Sequence, residues 1–262
     1  MIPAETCYAR ASDLDHALEL LAEPDSKAIA GGQSLIPVMK LRIARPSLVV
    51  DISRLDLRGV EERDGEVHVG PLTTWNELIG AEVLQRPPLA AVAECARGIG
   101  DLQVRNLGTI GGSVVHADPA SDMPAVLLAL GARLRLRSPE GERALAVSDA
   151  LVGPFTTTLE PDELVTDIAI PMPPHGSGSA YASVEHPASG FALAGAAALA
   201  TPDGESVAVT GVGLTPFVLS GDLSDAEIFG DRFAPAEYRR ALARVVADRA
   251  LSAARERAKV NR

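Results

Sequence analysis

Residues 109–122 read Thr-Ile-Gly-Gly-Ser-Val-Val-His-Ala-Asp-Pro-Ala-Ser-Asp, placing a glycine pair, hydroxyl side chains, the imidazole of His116 and the carboxylates of Asp118 and Asp122 in one short stretch. A glycine pair lets the backbone approach a ligand closely and present N–H groups to it, the usual arrangement beside phosphates. A second pair lies in Ala30-Gly31-Gly32-Gln33-Ser34. Two such cradles point to one large, doubly phosphorylated ligand, although each taken singly is also an ordinary turn. His116, Asp118 and Asp122 have the residue types of a metal triad. The plain alternative is a loop-to-helix transition in which Pro119 fixes the backbone and Ser121 caps the helix. A third reading gives a carboxylate the hydroxyls of a ligand whose phosphates sit on Gly111 and Gly112. His186-Pro187-Ala188-Ser189-Gly190-Phe191 reads as a turn before a strand, with Phe191 as a core side chain. Neither G-x-G-x-x-G nor the P-loop pattern occurs, and there is no G-x-S-x-G elbow. A Rossmann-bound nicotinamide, nucleotide hydrolysis and serine nucleophile chemistry all lose support.

The elements that must position these residues follow from periodicity. Ser12-Asp13 reads as an N-cap, and Leu14, Ala17, Leu18 and Leu21 recur at helical spacing up to Pro24. Residues 27–30 read as a short strand running into Gly31 and Gly32, and residues 34–41 as a helix. Such a strand, glycine turn and helix aim free N–H groups and a helix dipole at one point. Residues 48–52 form a second short strand. From Val60 the period becomes two, around the hairpin signal Asp64-Gly65. Thr74-Trp75-Asn76-Glu77 is a capping box, residues 89–96 a helix, and residues 122–130 a helix closed by Gly131. Residues 132–137 alternate Arg133, Arg135 and Arg137 with apolar or small residues, so one face is dry. Residues 171–179, with three prolines and Gly176-Ser177-Gly178, read as a linker. Beyond it comes a meander in which residues 192–200 fit helix or strand. A long helix over residues 236–258 then carries Tyr238, Leu242, Val245 and Val246 as its stripe.

The chain has 262 residues, 47% of them hydrophobic and 23% charged, an ordinary globular balance with material for one large domain or two modest ones. A net charge of −11 disfavours nucleic acid and anionic membrane surfaces as partners. The first residues show neither a basic nor an apolar targeting region, and no apolar run is long enough for a membrane span, so a cytoplasmic location is expected. Cys7 and Cys95 are too few for the thiolate set of an iron–sulfur cluster and too far apart for a CxxC pair.

Ala30-Gly31-Gly32-Gln33-Ser34-Leu35-Ile36-Pro37, then Thr109-Ile110-Gly111-Gly112-Ser113, then Asp118-Pro119-Ala120-Ser121-Asp122-Met123-Pro124-Ala125, in this order and spacing, resemble the FAD-binding medium subunit of the molybdenum hydroxylase family. Leu41-Arg42, Asp51-Ile52, residues 186–191 and Glu237-Tyr238-Arg239-Arg240 extend the resemblance over nearly the whole chain. It implies an α+β fold. A two-part FAD-binding domain (residues 1–173, divided into 1–56 and 57–173) precedes a small C-terminal domain (178–262) with a three-stranded antiparallel sheet and a long terminal helix. It implies FAD bound along Ala30, Gly31, Gly32, Gln33, Ser34 and Leu35 and along Thr109, Ile110, Gly111, Gly112 and Ser113. Asp122 would bond sugar or ribityl hydroxyls, His116 and Asp118 would shape the loop near the flavin, and Phe191 would cover one isoalloxazine face. Ser183 stands where many relatives carry lysine, and residues 214–233 are shorter than the family's usual segment.

The resemblance further implies an electron-transfer role, with no catalytic residue and no metal ligand on this chain. Electrons would come from [2Fe-2S] clusters of a small iron–sulfur subunit, substrate would be hydroxylated at the molybdopterin cofactor of a large subunit, and the assembly would be a dimer of heterotrimers. FAD would pass the electrons to quinone, nicotinamide or oxygen. The competing readings are a stand-alone FAD oxidase or reductase of related fold and a flavin-free assembly subunit. Under the favoured reading, Gly111→Val is expected to abolish FAD retention while leaving the chain soluble.

Overall fold

The computed structural model describes residues 2–224 and 226–261. Its first layer holds β1 (Cys7–Arg10), α1 (Leu14–Leu21), β2 (Ser26–Ile29), α2 (Leu35–Lys40) and β3 (Leu48–Asp51). The strands form a parallel sheet in the order β1-β3-β2. Helix α1 starts where the Asp13 carboxylate accepts the His16 N–H at 2.9 Å, and the predicted Ala17, Leu18 and Leu21 face packs with Val50 and Ile52. Asp51, at the end of β3, accepts from Tyr8 Oη (2.5 Å) and Arg10 Nε (3.0 Å) on β1.

The second layer begins with β4 (Val60–Arg63) and β5 (Glu66–Val69), joined at Asp64 and Gly65, both with positive φ (52° and 77°) as a tight hairpin turn requires. Helices α3 (Trp75–Gly80), α4 (Ala90–Gly98), α5 (Leu102–Leu107), α6 (Ile110–His116) and α7 (Asp122–Ala129) follow. Then come β6 (Arg133–Ser138), β7 (Gly141–Ala146), α8 (Val147–Ala150), the small hairpin β8 (Leu151–Gly153) and β9 (Thr156–Thr157), and β10 (Leu164–Pro171). The antiparallel sheet runs β4-β5-β10-β6-β7. On β6 the dry face is Leu134 and Leu136. The Thr74 capping box closes as expected, with Glu77 Oε2 accepting from the Thr74 N–H at 2.6 Å. Residues 109–116, read as a glycine loop, are instead a cap and a helix. Two adjacent glycines lower helix propensity, but the Thr109 cap and burial of Ile110 and Val114 outweigh that cost.

The third layer is β11 (Gly178–Glu185), β12 (Ala192–Thr201), β13 (Gly204–Thr210), β14 (Phe217–Val218) and α9 (Ala236–Val260). Residues 192–201 resolve as a strand. The sheet has four strands rather than the expected three, because Phe217 and Val218 pair with Val209 and Ala208. A two-residue strand following Pro216 is too short to leave a period. The stripe of α9 also differs from expectation. Tyr238 and Val245 are exposed, and the buried positions are Arg239, Ala243, Val246, Ala250, Ala254 and Ala258. The apolar ones among them meet Ala180, Ala194, Ala196, Ala198 and Ala200 of the sheet, and small side chains on both surfaces let helix and sheet approach closely.

Helix α7 joins the second and third layers. Each residue from Met123 to Ala129 is buried, and Ala197 of β12 and Ala208 of β13 share one core with Val67, Leu134 and Ile168. Arg257 of α9 pairs with Glu94 of α4 and donates to the Ser179 carbonyl at 2.6 Å. Among the described residues, no helix is long and apolar enough to cross a membrane. A Cβ at Gly178 would overlap the Ala254 carbonyl on α9, whereas one at Gly204 would meet nothing within 4 Å. Gly178→Ala should therefore cost about 1–3 kcal/mol in urea unfolding, against a change within about 0.5 kcal/mol for Gly204→Ala.

Candidate functional site

The turn between β2 and α2 leaves a row of donors. Among the described residues, the backbone N–H groups of residues 31–35 have no acceptor within the protein. They are the orphan donors of a helix start, extended by Gly32 at φ 70°. Gln33 Nε2 turns back to the Gly31 carbonyl at 3.2 Å, and the Ser34 hydroxyl makes no capping bond. Ala30, Gly31, Gly32, Gln33, Ser34 and Leu35 are all partly accessible, so this strip faces outward.

The second predicted segment lies against the first. A Cβ at Gly31 would overlap the Leu107 carbonyl and sit 3.1 Å from Gly108 Cα. The first glycine pair and the residues leading into Thr109 are therefore in backbone contact, which only glycine at position 31 permits. Gly108 in turn rests on the buried indole of Trp75, and its carbonyl accepts from the Trp75 backbone N–H at 3.2 Å.

Within residues 109–113 the N–H groups are largely committed. Ile110 donates to the Thr73 carbonyl (3.1 Å), Gly111 to the Pro71 carbonyl (2.9 Å), Ser113 to the Thr109 carbonyl (3.1 Å) and Gly112 to Thr109 Oγ1 (3.2 Å). Gly111 is buried against Pro71, and a Cβ there would overlap the proline ring. This corrects the expectation for Gly111→Val: valine would disrupt internal packing and could not serve as a probe of ligand contact. Gly112, on the opposite side of the same turn, is exposed.

His116, Asp118 and Asp122 turn to three different partners. The His116 ring meets Phe155 edge-on at 5.2 Å between centroids, and burial lowers its pKa. Asp118 Oδ1 accepts from the Ala120 N–H at 2.9 Å, an Asx turn. Asp122, the first residue of α7, accepts from the Tyr181 hydroxyl of β11. Burial, followed by the negative charges of Glu185 and Asp118, raises the Asp122 carboxyl to about 6 against the opposing Tyr181 bond. The intervening loop is pinned by Ser113 and Ser121, whose hydroxyls are 2.6 Å apart. Thr210 Oγ1 adds a second anchor, lying 3.0 Å and 2.7 Å from the Pro119 and Ser121 carbonyls.

Phe191 immediately precedes β12 and is 49% exposed, where expectation allowed a core side chain. Its carbonyl accepts from the His186 N–H at 2.8 Å, closing the 186–191 turn, and His186 packs on Phe233 at 4.6 Å. Arg239 secures the neighbouring strand ends by donating to the Leu193 carbonyl (2.8 Å), the Gly211 carbonyl (2.5 Å) and Asp231 Oδ2 (2.8 Å).

A family model, the FAD-binding domain in molybdopterin dehydrogenase, matches residues 4–173. The chain belongs to this family. It is 38% identical to the carbon monoxide dehydrogenase medium chain of Afipia carboxidovorans, with 99% of this chain and 100% of that one covered. It is 40% identical to the 6-hydroxypseudooxynicotine dehydrogenase complex subunit alpha of Paenarthrobacter nicotinovorans, over 78% of this chain and 69% of that one. Among solved structures, the reconstituted CO dehydrogenase from Oligotropha carboxidovorans superposes with a TM-score of 0.92 at 35% identity, covering 98% of this chain and 100% of that one. The protein is thus a FAD-binding medium subunit of the molybdenum hydroxylases, an oxidoreductase component similar to the medium chains of molybdenum-cofactor dehydrogenases.

The first segment fits that cofactor on its own geometry: an outward strip of uncommitted N–H donors suits an anionic diphosphate. Sequence reasoning missed Tyr181 on β11, Thr210 on β13 and Phe155 in the turn between β8 and β9, which reach the 109–122 segment from far along the chain. Local periodicity carried no sign of them.

Because the folded Asp122 carboxyl titrates near 6 rather than 3.8, its stabilising neutral form is complete below about pH 4 and is lost as pH rises through about 6. Asp122→Asn, which mimics the neutral form, should gain on the unaltered chain over that interval by up to about 3 kcal/mol. Urea midpoints at a series of pH values check this, and a pH-independent difference would contradict it.

Proposed function

We propose that the diphosphate of FAD lies against the N–H groups of residues 31–35 and beside the exposed face of Gly112 at the start of α6. On this reading Asp122 accepts from sugar or ribityl hydroxyls, Phe191 covers one isoalloxazine face, and His116 and Asp118 shape the connecting loop. The observation that carries it is the Gly31 contact with the Leu107-Gly108 peptide, which sets the free donors next to the Thr109 segment. Thr109, Ile110, Gly111 and Ser113 then act as the wall of the cradle, their own N–H groups being spent internally. Residues 1–173 form the FAD-binding domain, in parts 1–56 and 57–173, and residues 178–262 the C-terminal domain.

When bound, the flavin supplies the ability to accept electrons singly and release them singly or in pairs. This chain binds and orients it, screens its diphosphate charge with backbone dipoles, and holds the Asp122 carboxyl in a shielded position. We place the protein as the electron-transfer subunit between the [2Fe-2S] clusters of a small subunit and an external acceptor. The molybdopterin-bearing large subunit is the other partner, in a cytoplasmic dimer of heterotrimers. Relatives carry names with unlike substrates, among them carbon monoxide, glyceraldehyde and caffeine. That spread supports substrate choice residing on another chain.

Ser34→Asp tests the cradle cleanly. Aspartate is at least as good a helix cap as serine, so the fold should keep its melting temperature, while a negative charge among the donors should weaken FAD binding at least tenfold (~1.4 kcal/mol). Unchanged affinity would place the diphosphate elsewhere. Purification from the native host with assay of flavin, molybdenum and iron separates the assemblies. All three together support the complex, flavin without metal supports a stand-alone flavoprotein, and absence of flavin refutes both.

A further inference from the structure

Tyr181 is held at both ends. Its N–H donates to Glu94 Oε2 at 3.1 Å, and Glu94 is itself paired with Arg257, so α4 and α9 together fix the Tyr181 backbone. Its hydroxyl donates to Asp122 Oδ1, 59 residues away in sequence. The ring reaches that point by running diagonally across the sheet. Tyr181 pairs with Ala197, while Gly195 pairs with Ser183, and a Cβ built on Gly195 would overlap the Tyr181 hydroxyl. Diagonal neighbours on adjacent strands are within reach of an aromatic side chain, and here the reach is open because position 195 is glycine.

The carboxylate is thereby divided. Oδ1 is taken by Tyr181, whereas Oδ2 has no hydrogen-bond partner among the described residues and is not sealed in the interior. A carboxylate swinging about its terminal torsion has a broad, roughly two-fold energy profile, so a fixed donor on one oxygen determines where the other points.

We propose that Tyr181 is the positioning residue of the cofactor-binding Asp122: its hydroxyl holds Oδ1 so that Oδ2 faces the ligand hydroxyls, and Gly195 is glycine because that hydroxyl occupies the space of a side chain. The inference rests on the FAD site proposed above. It makes the third sheet part of that site, because the group that sets Asp122 comes from β11 while Asp122 itself begins α7.

The full-length chain, stripped of flavin and titrated with FAD by fluorescence quenching, tests this alongside circular dichroism and thermal melting. Tyr181→Phe is expected to raise the FAD dissociation constant about tenfold and to change the visible dichroism of the bound flavin, with the far-ultraviolet spectrum retained. In an Asp122→Ala background, which removes the acceptor, the same substitution should change affinity by less than about twofold, since Tyr181 acts through the carboxylate. Val209→Ala, which opens a cavity on the face of the same sheet that packs with α9, should lower the melting temperature and leave FAD affinity and the visible dichroism unchanged. Where Tyr181→Phe fails to fold, Gly195→Ala, which displaces the hydroxyl, takes its place with the same expectations. Affinity within about twofold of the unaltered chain for Tyr181→Phe, an undiminished loss in the Asp122→Ala background, or an equal loss from Val209→Ala would each overturn the inference while leaving the FAD site standing. An unaltered chain that binds no FAD would overturn the site itself and this inference with it.

Discussion

Helix α7 has no polar face after its first residue. From Met123 to Ala129 every side chain is buried, and a helix that is apolar all round has to be covered on every side. Much of the architecture follows from covering it. Strands β12 and β13 send Ala197 and Ala208 into the same core as Val67, Leu134 and Ile168 of the five-stranded sheet, and α4 fills the remaining flank with Ala91, Val92 and Cys95. The one polar residue of the helix, Asp122, is consequently drawn into the seam between two sheets, where its carboxyl loses much of its hydration. A carboxyl in that position needs a donor, and Tyr181 is the donor the third sheet supplies.

The second constraint is a backbone contact. Orphan donors at a helix start are common, and become a site only when something holds them beside a second surface. Gly31 does so by lying directly on the Leu107-Gly108 peptide, with Trp75 beneath Gly108. Alanine chemistry plays the same part in the third layer, where small side chains on α9 and on β11 and β12 bring helix and sheet close enough that Gly178 touches the helix backbone. In both places the absence of side-chain atoms, rather than any added attraction, sets the spacing.

Family membership and site geometry converge without being the same statement. Membership comes from residues 4–173 and from structures that superpose over nearly the whole chain. The geometry adds which parts of each motif are available to a ligand. At Gly31 through Leu35 the donors are free; at Gly111 the donor is spent on Pro71. Two glycine pairs that look equivalent in the sequence thus play different parts, one presenting N–H groups and the other allowing a turn of helix to lie on a proline.

Short-range features were legible in the sequence because their causes lie within a few residues. The Asp13 cap, the Thr74 capping box, the Asp64-Gly65 hairpin and the Leu134 and Leu136 alternation each depend on neighbours one to four positions away, and each stands in the structure as read. The motif series, in its order and spacing, also determined the family and the cofactor class. Tertiary structure decided the rest. Residues 192–201 became a strand through pairing on both edges, β14 exists because β13 offers it an edge, and the buried stripe of α9 proved to be alanine because the sheet stands so close. Asp122 is matched to Tyr181 across 59 positions and Gly31 to Leu107 across the first and second layers. A chain records which residues it has, but the space that a missing Cβ leaves open has meaning only once another strand or helix has come to fill it.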